Sequence, residues 1–201
     1  MALLRGNLHA HTTLSDGQRP VAEVLERYRD LGYGFVAITD HDDRIQDDYW
    51  FQIPAGDDDL IVFAGVEHNY RPLSQHVGRV IGDRETLLVL NHPARYDLSV
   101  GQVLQRLGVL AAAGLAIDAV EVTETGVYQP RYDVDEIPLP KVATDDSHRD
   151  PHLGKAWIEV EAPRDRDAIL RAIKAGDFQL GFAPEPPEGP GRRYDLLSLG
   201  Y

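Results

Sequence analysis

His9-Ala10-His11 is the first segment whose residue types can do chemistry, and related clusters recur down the chain as Asp40-His41, Glu67-His68, Asn91-His92 and Asp145-Asp146-Ser147-His148. Imidazole and carboxylate together make the ligand set that suits Zn, Mn or Fe. The chain has no cysteine, so disulfides, thiolate zinc sites and cysteine nucleophiles are excluded. In an extended segment, residues i and i+2 share a face. His9 and His11 can therefore grip one cation, and Asp146 and His148 can serve one ion or two neighbours. A carboxylate set between such pairs, as Glu67 is, can bridge two metals.

These clusters need elements to position them, and short apolar runs supply strand candidates: Leu3–Leu8, Phe35–Thr39, Leu60–Val66, Val77–Ile81, Leu87–Leu90, Ala119–Val122, Val142–Thr144 and Ala156–Val160. The chemistry-bearing residues fall just after five of them. Helices alternate with these strands. One starts at Pro20, carries Val21, Val24, Leu25, Tyr28 and Leu31 on one face, and stops at Gly32. Another runs from Val100 to about Ala113 behind a capping box of Ser99 and Gln102, and a third spans Asp165 to Ala175 before Gly176. The alternation predicts a parallel α/β sheet curled toward an open or irregular barrel, with function at the carboxyl ends of its strands.

A lone His-x-His is more often a surface pair than a site; the joint placement of five clusters on one rim carries the metal reading. His152 reads as a surface-loop histidine, and His68 should point away from Glu67 if the strand persists. Asp42, Asp43, Asp47, Asp48 and Asp57 to Asp59 read as solvated acidic loop, since their spacing does not fit an EF-hand.

The length of 201 residues fits one domain, and a formal charge of −13 argues against a partner as long and anionic as nucleic acid. No apolar run approaches a membrane span, and the N-terminus lacks the pattern of a secretory signal, so a cytoplasmic address is expected. The Pro/Gly-rich segment after Phe182 predicts irregular structure.

In order, "NLHAHTTLSDG", "AITDHD", "GVE", "NHP" and "ATDDSH" resemble the motifs of the PHP (polymerase and histidinol phosphatase) superfamily, from Gly6 to about Gly176. "RYRDLGYGFVAITDHD" and "AILRAIKAGDF" resemble its carbaryl-hydrolase-like branch. The resemblance implies a distorted seven-stranded α/β barrel, placed over residues 1–182, and the Pro/Gly-rich composition adds a tail at 183–201 packed on it. It also implies two or three divalent ions, Mn, Fe or Zn. His9, His11, Glu67 and Asp146 would hold the first, with Glu67 bridging to a second held by His76 and His92. Asp16, His41 and His148 would hold the third, Asp16 standing where other members have histidine. Many relatives carry a subdomain inserted before the Asp-x-His motif, and this chain does not.

Clustered cations activate water and polarise the scissile bond, so a hydrolase is expected. Arg95 and Arg149 are candidates for gripping phosphate oxygens, and Asp40 for fixing the tautomer of a ligand histidine. The leading expectation is a phosphoesterase for a small phosphorylated metabolite or nucleotide. Hydrolysis of a carbamate, ester or amide by the same centre is the alternative, and a non-catalytic binding module is a third reading.

Overall fold

Alternation of side-chain direction is visible in the second strand, where Phe35 and Ala37 join one buried cluster while Val36 and Ile38 join another. A strand buried on both faces has no polar side to show, which is why its sequence is continuously apolar. The computed structural model describes residues 1–184; the tail expected at 183–201 lies outside the described residues apart from Ala183 and Pro184.

The strands are β1 (Ala2–Asn7), β2 (Phe35–Ile38), β3 (Ile61–Tyr70), β4 (Gln75–Ile81), β5 (Thr86–Leu90), β6 (Ala119–Glu121), β7 (Thr123–Glu124), β8 (Val127–Tyr128), β9 (Lys141–Val142), β10 (Ala156–Ala162) and β11 (Phe178–Phe182). Nine form one sheet in the order β11-β10-β1-β2-β3-β4-β5-β6-β9, while β7 and β8 make a separate hairpin. A parallel bridge between Ala10 and Ser147 joins the segment after β1 to the segment after β9. The seven strands from β1 to β9 thereby form a nearly closed ring, and β10 and β11 extend from it along β1. The fold is the expected mixed α/β barrel. Every ring strand sends residues into one core cluster, among them Leu4, Phe35, Phe63, Val80, Val89, Ala119 and Val142. Each buried Leu, Val or Phe among them contributes roughly 1.5–3 kcal/mol relative to exposure.

The sheet is not parallel throughout, as the alternation suggested. β3–β4 and β4–β5 pair antiparallel, as do β1–β10 and β10–β11. For β3–β4 and β4–β5 the reason is connection length: residues 71–74 and 82–85 are too few for a crossover, which needs about a dozen residues. A strand running backwards reaches the functional rim with its amino end, and β4 accordingly presents His76 there, paired with Asn69.

Helix α1 (Val21–Asp30) covers one face of the ring through Val24, Leu25 and Tyr28. The short α2 (Tyr49–Gln52) had no periodicity to announce it, and Tyr49 is its buried residue. In α3 (Val100–Ala112) the Ser99–Gln102 capping box is present in both directions. Helix α4 (Arg166–Ala175) places Ile169, Leu170 and Ile173 against the ring core. No helix among the described residues is long and apolar enough to cross a membrane.

Asp167 on α4 ties the helix to the β4–β5 turn: one carboxylate oxygen accepts the backbone N–H groups of Asp83, Arg84 and Glu85 at 2.8, 3.0 and 3.1 Å. Those donors hold its carboxyl below the ordinary value. A depressed pKa stabilises the fold above the unfolded carboxylate value, about 3.9, and the contribution is lost as pH falls through the folded one. Asp167→Ala is expected to lower the melting temperature by a few degrees, on the order of 2–4 °C per kcal/mol lost, at pH 7. The gap from wild type should close in acid; thermal melts across pH check this, and a pH-independent gap would contradict it.

Candidate metal centre

The rim builds its site from loops that are hydrogen-bonded to one another. Beyond β1, His11 N–H donates to Ser147 at 2.9 Å, and beyond β2, Glu67 N–H donates to Asp40 at 3.0 Å. Segments distant in sequence are thereby pinned side by side. Asp40 does not touch a ligand histidine as expected. Its buried carboxylate accepts from Thr12 N–H at 2.7 Å, the Thr12 hydroxyl at 2.8 Å and the Ser15 hydroxyl at 2.6 Å. It thus shapes the turn that carries Asp16, and burial raises its pKa against those donors.

All nine ligand candidates meet. His9 Nε2 stands 3.0 Å from His11 Nε2 and 3.3 Å from both Glu67 Oε1 and Asp146 Oδ1. His92 Nε2 and His76 Nδ1 approach Glu67 Oε1 at 2.9 and 3.1 Å. His41 turns Nδ1 to Glu67 Oε2 at 3.3 Å and Nε2 to Asp16 at 3.4 Å, while His148 Nε2 lies 3.5 Å from Asp16. Four overlapping groups have ligand atoms within 4.8 Å of one another: His9, Glu67, His92; His9, His11, Asp146; His41, Glu67, His76; and His11, Asp16, His41, His148. The groups overlap more than the expected assignment: His11 also reaches the Asp16 group, His9 joins Glu67 and His92, and His41 joins Glu67 and His76, while His76 and His92 both approach Glu67 Oε1 as expected.

Buried polar atoms without partners test whether cations fit here. His11 Nδ1, Glu67 Oε2, His76 Nδ1, His92 Nδ1 and Asp146 Oδ1 are buried with no hydrogen bond. Leaving one such atom unsatisfied costs about 1–3 kcal/mol, so this density calls for a ligand. The clusters fit more than one divalent ion. Two ligands, His92 (φ 27°) and Asp146 (φ 44°), also occupy left-handed backbone, a strain of about 1–3 kcal/mol each that collects at functional sites.

Electrostatics agree with a dense charge cluster. Burial alone would lower His9, but Asp146, Glu67 and Glu121 outweigh it and raise its pKa well above the ordinary value. Burial lowers His11 to about 4. For Asp146, burial is outweighed by His9 and His11, which hold its carboxyl far below the ordinary value. The neighbouring Asp145 turns away: it accepts the N–H groups of Gly154, Lys155 and Ala156, and burial raises it to about 6.

The arginines differ. Arg95 puts Nη1 3.5 Å from Asp146 Oδ2 with its side chain half exposed, at the mouth of the cluster. Arg149 instead donates from Nε to His152 Nε2 at 2.8 Å. His152 is only half-buried, and His68 pairs with Asp42, outside the four groups. Asn91, singled out with His92, donates its amide to Glu67 Oε1 at 2.8 Å, whereas sequence reasoning missed Arg44, whose Nη1 reaches Asp16 at 2.6 Å, and Glu121. A Cβ at Gly78 would come within 2.8 Å of the Asn91 side chain, so the glycine makes room for that contact.

A family model described as PHP-associated matches residues 134–178. No curated protein sequence matches the chain. Among solved structures, a two-domain protein from Bacteroides vulgatus containing a predicted PHP-like metal-dependent phosphoesterase superposes with a TM-score of 0.67 at 17% identity. The match covers 90% of this chain and 65% of that one, so this chain spans about two thirds of that protein's length. PsfC from Pseudomonas syringae superposes with a TM-score of 0.65 at 18% identity, covering 91% of this chain and 93% of that one. None of these matches bears on the carbaryl-hydrolase-like branch. The resemblance read from the motifs is thus met by the fold and by the matched segment: the chain has a PHP-like fold and carries a PHP-associated segment at residues 134–178.

Proposed function

We propose that this chain is a metal-dependent phosphoesterase acting on a small phosphorylated metabolite or nucleotide. The observation that carries the reading is the meeting of nine imidazole and carboxylate side chains, five of the imidazoles on Glu67, with five buried atoms lacking partners, beneath a half-exposed Arg95. The likeness to a structure whose protein contains a predicted metal-dependent phosphoesterase supports it. Imidazole and carboxylate without thiolate suit Mn, Fe or Zn. Divalent ions held there would lower the pKa of a water and polarise the phosphoryl oxygens.

The chain's own residues do the rest. Glu67 and Asp146 supply buried negative charge to hold the cations, and Asn91 fixes the Glu67 carboxylate by its hydrogen bond. Arg95 is placed to take phosphoryl oxygens with a planar fork, exchanging its long contact with Asp146 for charge-assisted hydrogen bonds to substrate. Arg44 offers a second cation on the Asp16 side. The formal charge of −13 favours a small substrate over long nucleic acid.

The deciding experiment sets phosphate monoesters and nucleotides against aryl esters and carbamates with the Mn-loaded protein. Phosphate release is expected; ester or carbamate turnover without it would move the assignment to the alternative hydrolase. In the same assay Arg95→Ala should lower kcat/KM for the phosphate substrate about 10–100-fold, or roughly 1.4–2.8 kcal/mol. An unchanged kcat/KM would leave Arg95 as a partner of Asp146 only.

A further inference from the structure

We infer that Glu121 is a positioning residue that orients His9 and His92 together and so sets the affinity of the deep ions, those whose ligands include His9. The inference rests on the metallohydrolase reading above. Glu121 closes β6 and is fully buried. Its Oε2 lies 3.3 Å from His9 Nδ1 and accepts the backbone N–H of His92 at 3.0 Å. Its Oε1 accepts the hydroxyls of Thr123 at 3.0 Å and Thr144 at 2.6 Å. Four donors occupy the carboxylate, and it belongs to none of the four ligand groups.

That geometry makes Glu121 an orienter and not a ligand. With Nδ1–H directed to Glu121, His9 presents Nε2 as the free lone pair, and Nε2 is the atom facing Glu67, Asp146 and His11. A carboxylate accepting from the far nitrogen of a ligand histidine fixes its tautomer and ring and raises its basicity. The second contact acts on backbone. His92 sits at φ 27° and ψ 64°, a conformation that must be held in place, and Oε2 takes its N–H. The two histidines share the His9, Glu67, His92 group, so a single oxygen holds the imidazole of one and the backbone of the other beside the central carboxylate. Thr123 and Thr144 lock the other oxygen, so the carboxylate cannot rotate without breaking two hydrogen bonds. The outer group of His11, Asp16, His41 and His148 does not touch Glu121. Its affinity is therefore independent of Glu121.

The test is calorimetric titration of the chelator-stripped full chain with Mn²⁺ alone, with elemental analysis after dialysis and circular dichroism to verify folding. Glu121→Gln is expected to weaken the deep ions about 10–100-fold while one ion remains tight. The double variant with Asp16→Ala should then lose the outer ion as well. Thr144→Val removes one of the four donors and should weaken the deep ions several-fold, which carries the test if Glu121→Gln does not fold. A folded Glu121→Gln variant that loads every ion as wild type does, or loses the outer ion equally, overturns the inference. So does wild-type loading in Thr144→Val where Glu121→Gln is unfolded. A wild-type chain that takes up no Mn²⁺ would overturn the metallohydrolase reading, and this inference with it; loading by wild type with an unaffected variant overturns the inference alone.

Discussion

Replacing Glu67 with Gln is expected to lower kcat/KM on the best phosphate substrate by about 10³-fold or more and to reduce the bound metal, with the fold retained. Five imidazoles converge on this carboxylate: His9, His76 and His92 on one oxygen, His11 and His41 on the other. Burial works against its charge, but His9 and His92 outweigh it, so the carboxyl stays well below the ordinary value and is ionised at neutral pH. Gln has the same size, so packing is kept. It loses the negative charge, and one of its two positions becomes an N–H donor aimed where a cation would sit. Since Glu67 belongs to two of the ligand groups, one change reaches both. Circular dichroism, elemental analysis and steady-state kinetics on one preparation check it. A folded variant with full metal content and undiminished activity would refute the central role of Glu67.

The loss is legible from sequence because the ligands of this site announce themselves in pairs. His9-x-His11 and Asp146-x-His148 each follow an apolar run, and the ring strands that carry them were readable from those runs. Histidine density was the signal, and it fails where a functional residue has no histidine beside it. Glu121 sits in "AVEVTETG", where an isolated glutamate after a strand looks like any surface acid; only its burial under Thr123 and Thr144 marks it. Asp40 misled for the converse reason. Its neighbour in sequence is His41, yet the peptide turns its carboxylate toward Thr12 and Ser15. Strand direction was misjudged at β4 because apolar content carries no direction, whereas the four-residue connections on either side of it do. The two-residue strands β7 and β8, and β11 with its exposed positions, lack a buried face long enough to leave a periodic trace. A site is thus readable where its chemistry requires unusual residues in pattern, and hidden where common residues act through three-dimensional placement.

Stripping the divalent ions is expected to lower the melting temperature by about 8–16 °C, and the gap should widen as pH rises from about 6 to 8. A cation present at 1,000 times its dissociation constant stabilises the native state by about 4 kcal/mol, and each kcal/mol moves the midpoint of a domain this size by roughly 2–4 °C. The pH direction follows from the imidazoles. In the ion-free chain the pKa values of His9 and His92 are raised: burial opposes their charge, but Asp146 and Glu67 around His9, and Glu67 around His92, outweigh it. A raised pKa means the folded state holds protons that the unfolded chain releases first, so this stabilisation of the ion-free form is full below the unfolded imidazole value, about 6.5, and fades as pH climbs through the folded value. The loaded form runs the other way, because a cation must displace those protons and binds more tightly as they become scarce. His11, lowered to about 4, is already neutral across this range and contributes little to the slope. Scanning calorimetry with and without chelator at several pH values measures the gap, and titration in buffers of different ionisation enthalpy counts the protons released. A gap that is absent, or that narrows toward pH 8, would mean that His9, His92 and Glu67 do not meet around a cation at all.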